Sequence, residues 1–276
     1  MILLDPSLYE KVIKPLQRVT INNLFARSVV EAHVTGLVYV DNIKQPATFY
    51  VVHPYGMTLL FGKSDHKEFN AKLLDHALNT YRVRNYNEWM QTFPDSWDDT
   101  LARLFKDHLV RYDDKASSDK NSSIELHTRV NFKFHAGKFQ QFKQSIRDGD
   151  FKIVRTDTDA YENMNGSVVP RHFWNNAPEF NKMGIGYSLY SSDRLASTAF
   201  SSYLYGNQLE IGIETMPEYQ GRGYAQHTCA ALIDYCLDNH YEPVWSCRLE
   251  NTPSYLLAQK LGFEQTITIP YYRLCS

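Results

Sequence analysis

The sequence has no excess of charge, few cysteines and no long apolar run, and each shortage excludes something. A formal net charge of -2 over 276 residues offers no basic footprint of the kind that nucleic-acid binders carry. Nucleic acid is therefore not an expected partner. The four cysteines, Cys229, Cys236, Cys247 and Cys275, all fall in the last quarter of the chain. None forms a C-x-x-C pair, which argues against a zinc site, thioredoxin-type redox chemistry and a disulfide-stapled secreted fold. No metal site is expected. Cys229 and Cys236 stand seven apart, on one face of a helix, where free cysteine behaves as a small buried apolar residue. No stretch approaches the roughly 18 apolar residues that cross a bilayer. The opening Met-Ile-Leu-Leu run has no basic segment and stops at Asp5 and Pro6, unlike a secretory leader. The expectation is a cytoplasmic protein with no membrane partner.

What is present is an ordinary globular composition, 43% hydrophobic and 22% charged, with 19 tyrosines. The length suggests two domains at roughly 150 residues each and is ample for a core without staples. Residues 33–39, 47–52 and 57–61 read as three strands in meander, joined by a polar turn at 41–46 and by Pro54-Tyr55-Gly56. Asp65 is placed to cap a helix running to Asn79, with Phe69, Leu73 and Ala77 spaced by four on one face. A second helix is expected over 97–109. Residues 111–123 are polar and short in side-chain bulk, which is linker composition. The chain is divided accordingly into an α/β domain over 1–125 and a second domain over 126–276. The first contains no catalytic constellation.

The second domain carries more pattern. Strands are expected at 184–190, 195–205 and 209–215, separated by turns at 191–194 and at Gly206-Asn207, an antiparallel meander by its turn chemistry. A glycine-rich loop follows, then a helix to about Asn239 with Ala225, Cys229, Leu232, Ile233 and Cys236 at helical period. A strand at 243–248, a helix at 252–261 closed by Gly262 as the residue after the cap, and a strand at 266–274 complete the order. The loop is Gln220-Gly221-Arg222-Gly223-Tyr224-Ala225. Glycines between a strand end and a helix start let successive N–H groups converge, and the helix's positive end backs them, which suits a pyrophosphate. A dinucleotide fingerprint would need a third small residue where Gln226 stands and a parallel first strand. Neither is present.

Gln220, Gly223 and Ala225 match the cofactor loop Q/R-x-x-G-x-G/A of the GNAT acetyltransferase superfamily, which this chain resembles. Downstream, Asn251 opens a helix that ends in Lys260-Leu261-Gly262-Phe263, similar to the superfamily's second signature. Trp245, Cys247, Asn251, Ser254 and Leu257 resemble a bacterial subgroup with an additional N-terminal region, whose early pattern Asp41 and Pro46 also fit. The resemblance implies a GNAT fold over 126–276, a mixed and mostly antiparallel sheet with flanking helices. The smaller α/β region ahead of it would be a degenerate GNAT-like half.

The resemblance further implies transfer of an acetyl group from acetyl-CoA to a primary amine of a small-molecule or peptidyl acceptor, by direct attack. The alternative is a non-catalytic CoA-binding or partner-binding module. Thr215 would pair with the pantetheine arm, and Gly221, Arg222, Gly223, Tyr224 and Ala225 with the pyrophosphate beside Gln220. Asn251 and Ser254 would lie at the arm's mouth or cap the helix. The amine must lose a proton to a base, for which Glu214 is first choice and Glu210 second. Alternation puts both on one strand face. His227 reads as a packing or surface residue. Many members carry a tyrosine acid where this chain has Ala258. Tyr255, one turn earlier, or Tyr271 or Tyr272 would replace it. A homodimer is a further expectation.

Overall fold

The structure, a computed structural model, describes residues 1–112, 123–147 and 149–276. Most of the expected linker, residues 113–122, lies outside the described residues. The chain separates into two compact units. One is Met1–Val130 with Arg248–Glu250 and Ile267–Ser276; the other is Asn131–Cys247 with Asn251–Thr266. A boundary at 125 does not express this return of C-terminal segments to the first unit. Cleavage in the linker would not release that unit whole.

In the first unit β1 (Ile2–Leu3) leads through α1 (Glu10–Leu16) and α2 (Leu24–Val30) to β2 (Leu37–Val40), β3 (Thr48–Val52) and β4 (Met57–Gly62). These three strands pair antiparallel in sequence. Every residue of β3, and all but the last of β4, is buried, as in strands covered on both faces. Next, α3 (Lys67–Ala77) crosses over to β5 (Glu88–Phe93), which pairs parallel with β4 over Met57–Phe61. Its N-cap is His66, whose Nδ1 accepts from Phe69 N–H at 3.1 Å, not the expected Asp65. After α4 (Ser96–Leu104) the cap residue Phe105 leaves helical geometry, and β6 (Leu109–Arg111) occupies the end of the expected second helix. β6 pairs with the start of β7 (Ile124–Phe134).

Large side chains fill this unit: Tyr50, Phe69, Leu73, Trp97, Leu101 and Phe105 are all buried in one cluster. Buried charge is paired, as its desolvation cost requires. Glu88 receives the Tyr50 hydroxyl and lies 2.8 Å from His76 Nε2. Arg84 donates to the carbonyls of Leu274 and Cys275 at 2.8 and 3.0 Å. That bidentate grip ties the C-terminal segment into the unit.

The second unit begins with the end of β7, then α5 (Ala136–Ser145), β8 (Lys152–Arg155), α6 (Thr158–Asn163) and α7 (Ala177–Met183). The meander follows as β9 (Gly186–Ser191), β10 (Arg194–Tyr205) and β11 (Gln208–Thr215), antiparallel throughout. Its tight turns use left-handed backbone at Ser192, Asp193 and Gly206. Then come α8 (Tyr224–Asp238), β12 (Glu242–Val244), β13 (Ser246–Arg248), α9 (Thr252–Lys260) and β14 (Phe263–Leu274). The sheet order is β12-β11-β10-β9-β8. Cys229, Leu232, Ile233 and Cys236 are buried on α8, the face expected for them. Burial pushes the Cys236 thiol up to about 12. Gly262 follows α9 at φ 88°, as its C′ role requires. Among the described residues no helix is long and apolar enough to cross a membrane.

His53, between β3 and β4, is fully buried and its Nδ1 accepts from Tyr55 N–H at 3.0 Å. Burial lowers its pKa from 6.5 to about 3. The folded ring therefore stays neutral while the unfolded chain takes a proton below its ordinary value. Its contribution is complete above pH 6.5 and lost progressively toward pH 3, by up to about 1.4 kcal/mol per pH unit. His53→Gln keeps an acceptor but cannot titrate. The wild type's advantage over it in urea unfolding should shrink by about 3 kcal/mol between pH 7 and pH 4; a constant gap would show that the ring titrates alike in both states.

Candidate functional site

The site starts from a strand that loses a neighbour. β11 pairs with β10 along its length, but with β12 only at Gln208, Leu209 and Glu210, opposite Glu242, Pro243 and Val244. After Val244 the chain turns away, and the Trp245 carbonyl instead accepts from Phe132 N–H at 3.2 Å. Among the described residues no strand pairs with this edge of β11 beyond Glu210. Backbone N–H and C=O groups must be satisfied somewhere, so residues 211–215 form an edge ready for an extended partner.

Glu210 stands where the two strands part. It is buried, and its Oε1 accepts from Ser246 Oγ at 2.7 Å. Across the sheet a β-bulge at Ser202 interrupts the register of β10, and Ser202 Oγ donates to the Glu210 carbonyl at 3.0 Å. Glu214, four residues on, is only partly buried. Its Oε2 accepts from the N–H groups of Ser167 and Val168, both at 2.8 Å, and from Ser167 Oγ at 3.3 Å. Both expected base candidates are thus held carboxylates, in different surroundings.

The loop follows β11 after one 3-10 turn, Pro217–Tyr219. Gly221 and Gly223 have φ of 77° and 81°. A side chain there would cost about 1–2 kcal/mol in backbone strain. Gly223 is also the N-cap of α8, and no side chain caps this helix. Gln226 N–H donates to the Gly223 carbonyl at 3.2 Å, whereas the Tyr224 and Ala225 amides at the start of the helix have no intrahelical acceptor and add to its positive end. The loop is pinned on both sides. Tyr219 and Tyr224 pack on Leu189 and Ala196, and the Tyr224 hydroxyl lies 3.0 Å from Ser191 Oγ. Gln220 closes the turn by donating to the Thr215 carbonyl at 3.2 Å. The exposed Arg222 guanidinium sits over the Tyr219 ring, 5.3 Å from its centroid. Thr215 Oγ1 lies 2.9 Å from Ser197 Oγ, and His227 packs on Phe151.

On α9, Asn251 is the N-cap, its side chain accepting from Ser254 N–H at 3.4 Å. Ser254 Oγ accepts from Trp245 Nε1 at 3.3 Å. The Tyr255 hydroxyl donates to Gln265 at 2.9 Å, its ring against Phe132. Ala258 is fully buried. Tyr271 and Tyr272 are buried in the first unit, where Tyr271 stacks on Trp89 and Tyr272 meets Phe105. Burial pushes the Tyr272 hydroxyl well up. Sequence reasoning missed the segment from Gly166 to Trp174 and the role of Ser246. The Asn165-Gly166 turn dipeptide was the signal available for the first.

The sequence model of the GNAT acetyltransferase family matches residues 15–272. The uncharacterized N-acetyltransferase YdfB of Bacillus subtilis (strain 168) is 25% identical over 245 residues, covering 88% of this chain and 87% of YdfB. A GCN5-related N-acetyltransferase-like protein from Streptococcus suis 89/1591 has a similar structure, with a TM-score of 0.69 at 20% identity, covering 96% of this chain and 98% of that one. A tandem GNAT protein from the clavulanic acid biosynthesis pathway reaches 0.59 at 9% identity, covering 99% and 97%. These two share the fold.

The burial of Ala258 bears on the tyrosine acid that the family resemblance implies at this position. Ala258→Tyr should overpack the core and lower stability by about 1–3 kcal/mol or more, without raising thiol release from acetyl-CoA. Thermal melting and a turnover assay check both; a stable, faster variant would show that the position opens onto the site.

Proposed function

The chain belongs to the GNAT acetyltransferase family, and on that footing we propose that it carries an acetyl group from acetyl-CoA to a primary amine of a small-molecule or peptidyl acceptor, by direct attack of the amine on the thioester. The observation that carries this reading is the conjunction of an uncapped helix N-terminus with an unpaired strand edge. The amides of Gly221 to Ala225 would hold the pyrophosphate, because they converge at the positive end of α8 with no side chain competing for them. Arg222 would add its charge to a phosphate, at the cost of leaving the Tyr219 ring. The edge of β11 up to Thr215 would accept the pantetheine arm as an added strand, a mode in which main-chain hydrogen bonds supply the affinity.

Acetyl transfer needs the thioester carbonyl near the end of that edge and a neutral amine beside it. Glu210 would then brace the point where the strands part, tied to Ser246. Asn251 would keep its capping role and set the direction of α9, beside Ser254. The thiolate of the coenzyme is a tolerable leaving group, so Tyr255, already donating to Gln265, is not required as an acid.

The first unit reads as a degenerate copy of the same plan. It repeats the order of three antiparallel strands, a helix and a parallel strand. The likeness to a tandem GNAT protein across both units supports this. Its parallel pair, however, stays closed for five residues, Met57–Phe61 against Trp89–Phe93, and leaves no edge for a coenzyme.

Acetyl-CoA should raise the melting temperature of the wild type, because it binds only the folded state. Gly223→Glu should abolish that shift by placing bulk and negative charge at the pyrophosphate position and straining the left-handed cap. An equal shift in the variant would move the cofactor site elsewhere. Thiol release with a panel of polyamines, amino acids, aminoglycosides and lysyl peptides would then identify the acceptor class.

A further inference from the structure

One carboxylate on the open edge is held from outside its own strand. Glu214 lies within residues 211–215, the stretch of β11 that has lost β12. Its Oε2 accepts from the N–H groups of Ser167 and Val168 at 2.8 Å and from Ser167 Oγ at 3.3 Å. Gly166 makes that approach possible. At φ 147° it takes a backbone geometry that side chains rarely adopt, and a Cβ there would lie 2.5 Å from Glu214 Cγ and 2.6 Å from Oε2. The segment supplying these donors is fixed in turn, because the Arg171 guanidinium reaches the Met164 carbonyl and Trp174 Nε1 donates to the Ser201 carbonyl at 2.8 Å.

The other oxygen differs. Among the described residues no group donates to Glu214 Oε1, and no lysine, arginine or histidine pairs with the carboxylate. The side chain is only partly buried, so Oε1 is left for a donor from outside the chain. A carboxylate fixed at one oxygen and open at the other is preorganised for a cation, because its side chain is ordered before the ligand arrives. Bonds to an ionised acceptor are stronger than bonds to a neutral one. The three donors at Oε2 therefore keep their full strength when a cation pairs with Oε1, and lose part of it when a proton neutralises the group.

We propose that Glu214 Oε1 binds a second, protonated nitrogen of the acceptor, which makes the acceptor a di- or polyamine rather than a monoamine. This rests on the acetyl-transfer reading above. An ammonium nitrogen held on Oε1 has no lone pair, so it is not the nitrogen that attacks the thioester. The attacking nitrogen is the neutral one at the other end of the same molecule. Glu214 lies on the edge that would take the pantetheine arm, and each residue along that edge rises only about 3.3 Å, so a short carbon chain bridges the two nitrogens' positions.

Hexan-1-amine and hexane-1,6-diamine differ only in the second nitrogen, and the full chain can be tested with both. In the wild type, kcat/KM should favour the diamine about tenfold or more, the worth of a hydrogen bond to a charged group. Glu214→Gln keeps an oxygen for Ser167 and Val168 but loses the charge; it should bring the two amines within about twofold by raising the diamine KM, the mark of lost binding. Its melting temperature and its stabilisation by acetyl-CoA should match the wild type. Calorimetric titration of the diamine, with and without CoA, should show the same loss of affinity in the variant with no turnover involved. A kcat that falls about a hundredfold for both amines alike, with diamine affinity retained, would overturn the proposal and make Glu214 the base. Equal diamine affinity in wild type and variant would also overturn it, leaving Glu214 only to fasten the segment. A protein that acetyl-CoA does not stabilise and that releases thiol with neither amine would instead overturn the acetyl-transfer reading, a pattern distinct from both.

Discussion

The second unit depends on one interrupted ladder. Parallel strands normally pair for their whole shared length, because an unpaired edge leaves polar groups unsatisfied and invites aggregation. Here β11 keeps β12 for three residues and then loses it. Two features stabilise the break. The Glu210 carboxylate bonds Ser246 on the departing chain. The bulge at Ser202, opposite Glu210 in β10, adds local twist where it is needed and anchors the Glu210 carbonyl. A buried carboxylate and a bulge at one point are costly, and their coincidence where the strands part explains why the sheet opens there and nowhere else in the meander.

Preorganisation follows from how the loop beyond β11 is held. Two residues in left-handed backbone would be floppy if they were flanked by flexible chain. Instead Tyr219 is buried on one side and Tyr224 hydrogen-bonds Ser191 on the other, so the four residues between are short and tethered. Ordering the loop costs its entropy at folding rather than at binding, which is how a rigid site retains affinity. The same logic applies to the segment from Gly166 to Trp174. A charged acceptor on two backbone N–H groups is stronger than a neutral one, and two aromatic anchors on β10 complete the restraint.

The sequence made the second unit's meander, α8, α9 and the glycine loop legible, because each has a local cause: alternation, helical period, turn dipeptides, and glycine where φ must be positive. The two buried cysteines on α8 were readable from their spacing alone. Interactions of long range were not. The partners of Glu214, Ser167 and Val168, lie 47 and 46 residues away, and no local pattern announces them. Arg84 bonds Leu274 and Cys275 across 190 and 191 residues, which is why a division at 125 could not anticipate the C-terminal segment's return. His66 displaced Asp65 as a cap because a ring nitrogen one residue later reaches the Phe69 amide.

The two units show how small the difference is between a closed sheet and an open edge. Both run three antiparallel strands into a helix and a parallel fourth strand. In the first, five residue pairs close the parallel ladder, and α3 is capped by the His66 side chain, so its edge and helix N-terminus are both already satisfied. In the second, three pairs close it and α8 has no side-chain cap. Satisfied backbone groups have nothing to gain from a ligand, whereas unsatisfied ones exchange water for it. The second unit is therefore the one that folds with hydrogen-bonding capacity left open at two places, an edge where β12 leaves β11 after Glu210 and a helix end where Gly223, with no side chain, stands at the N-cap.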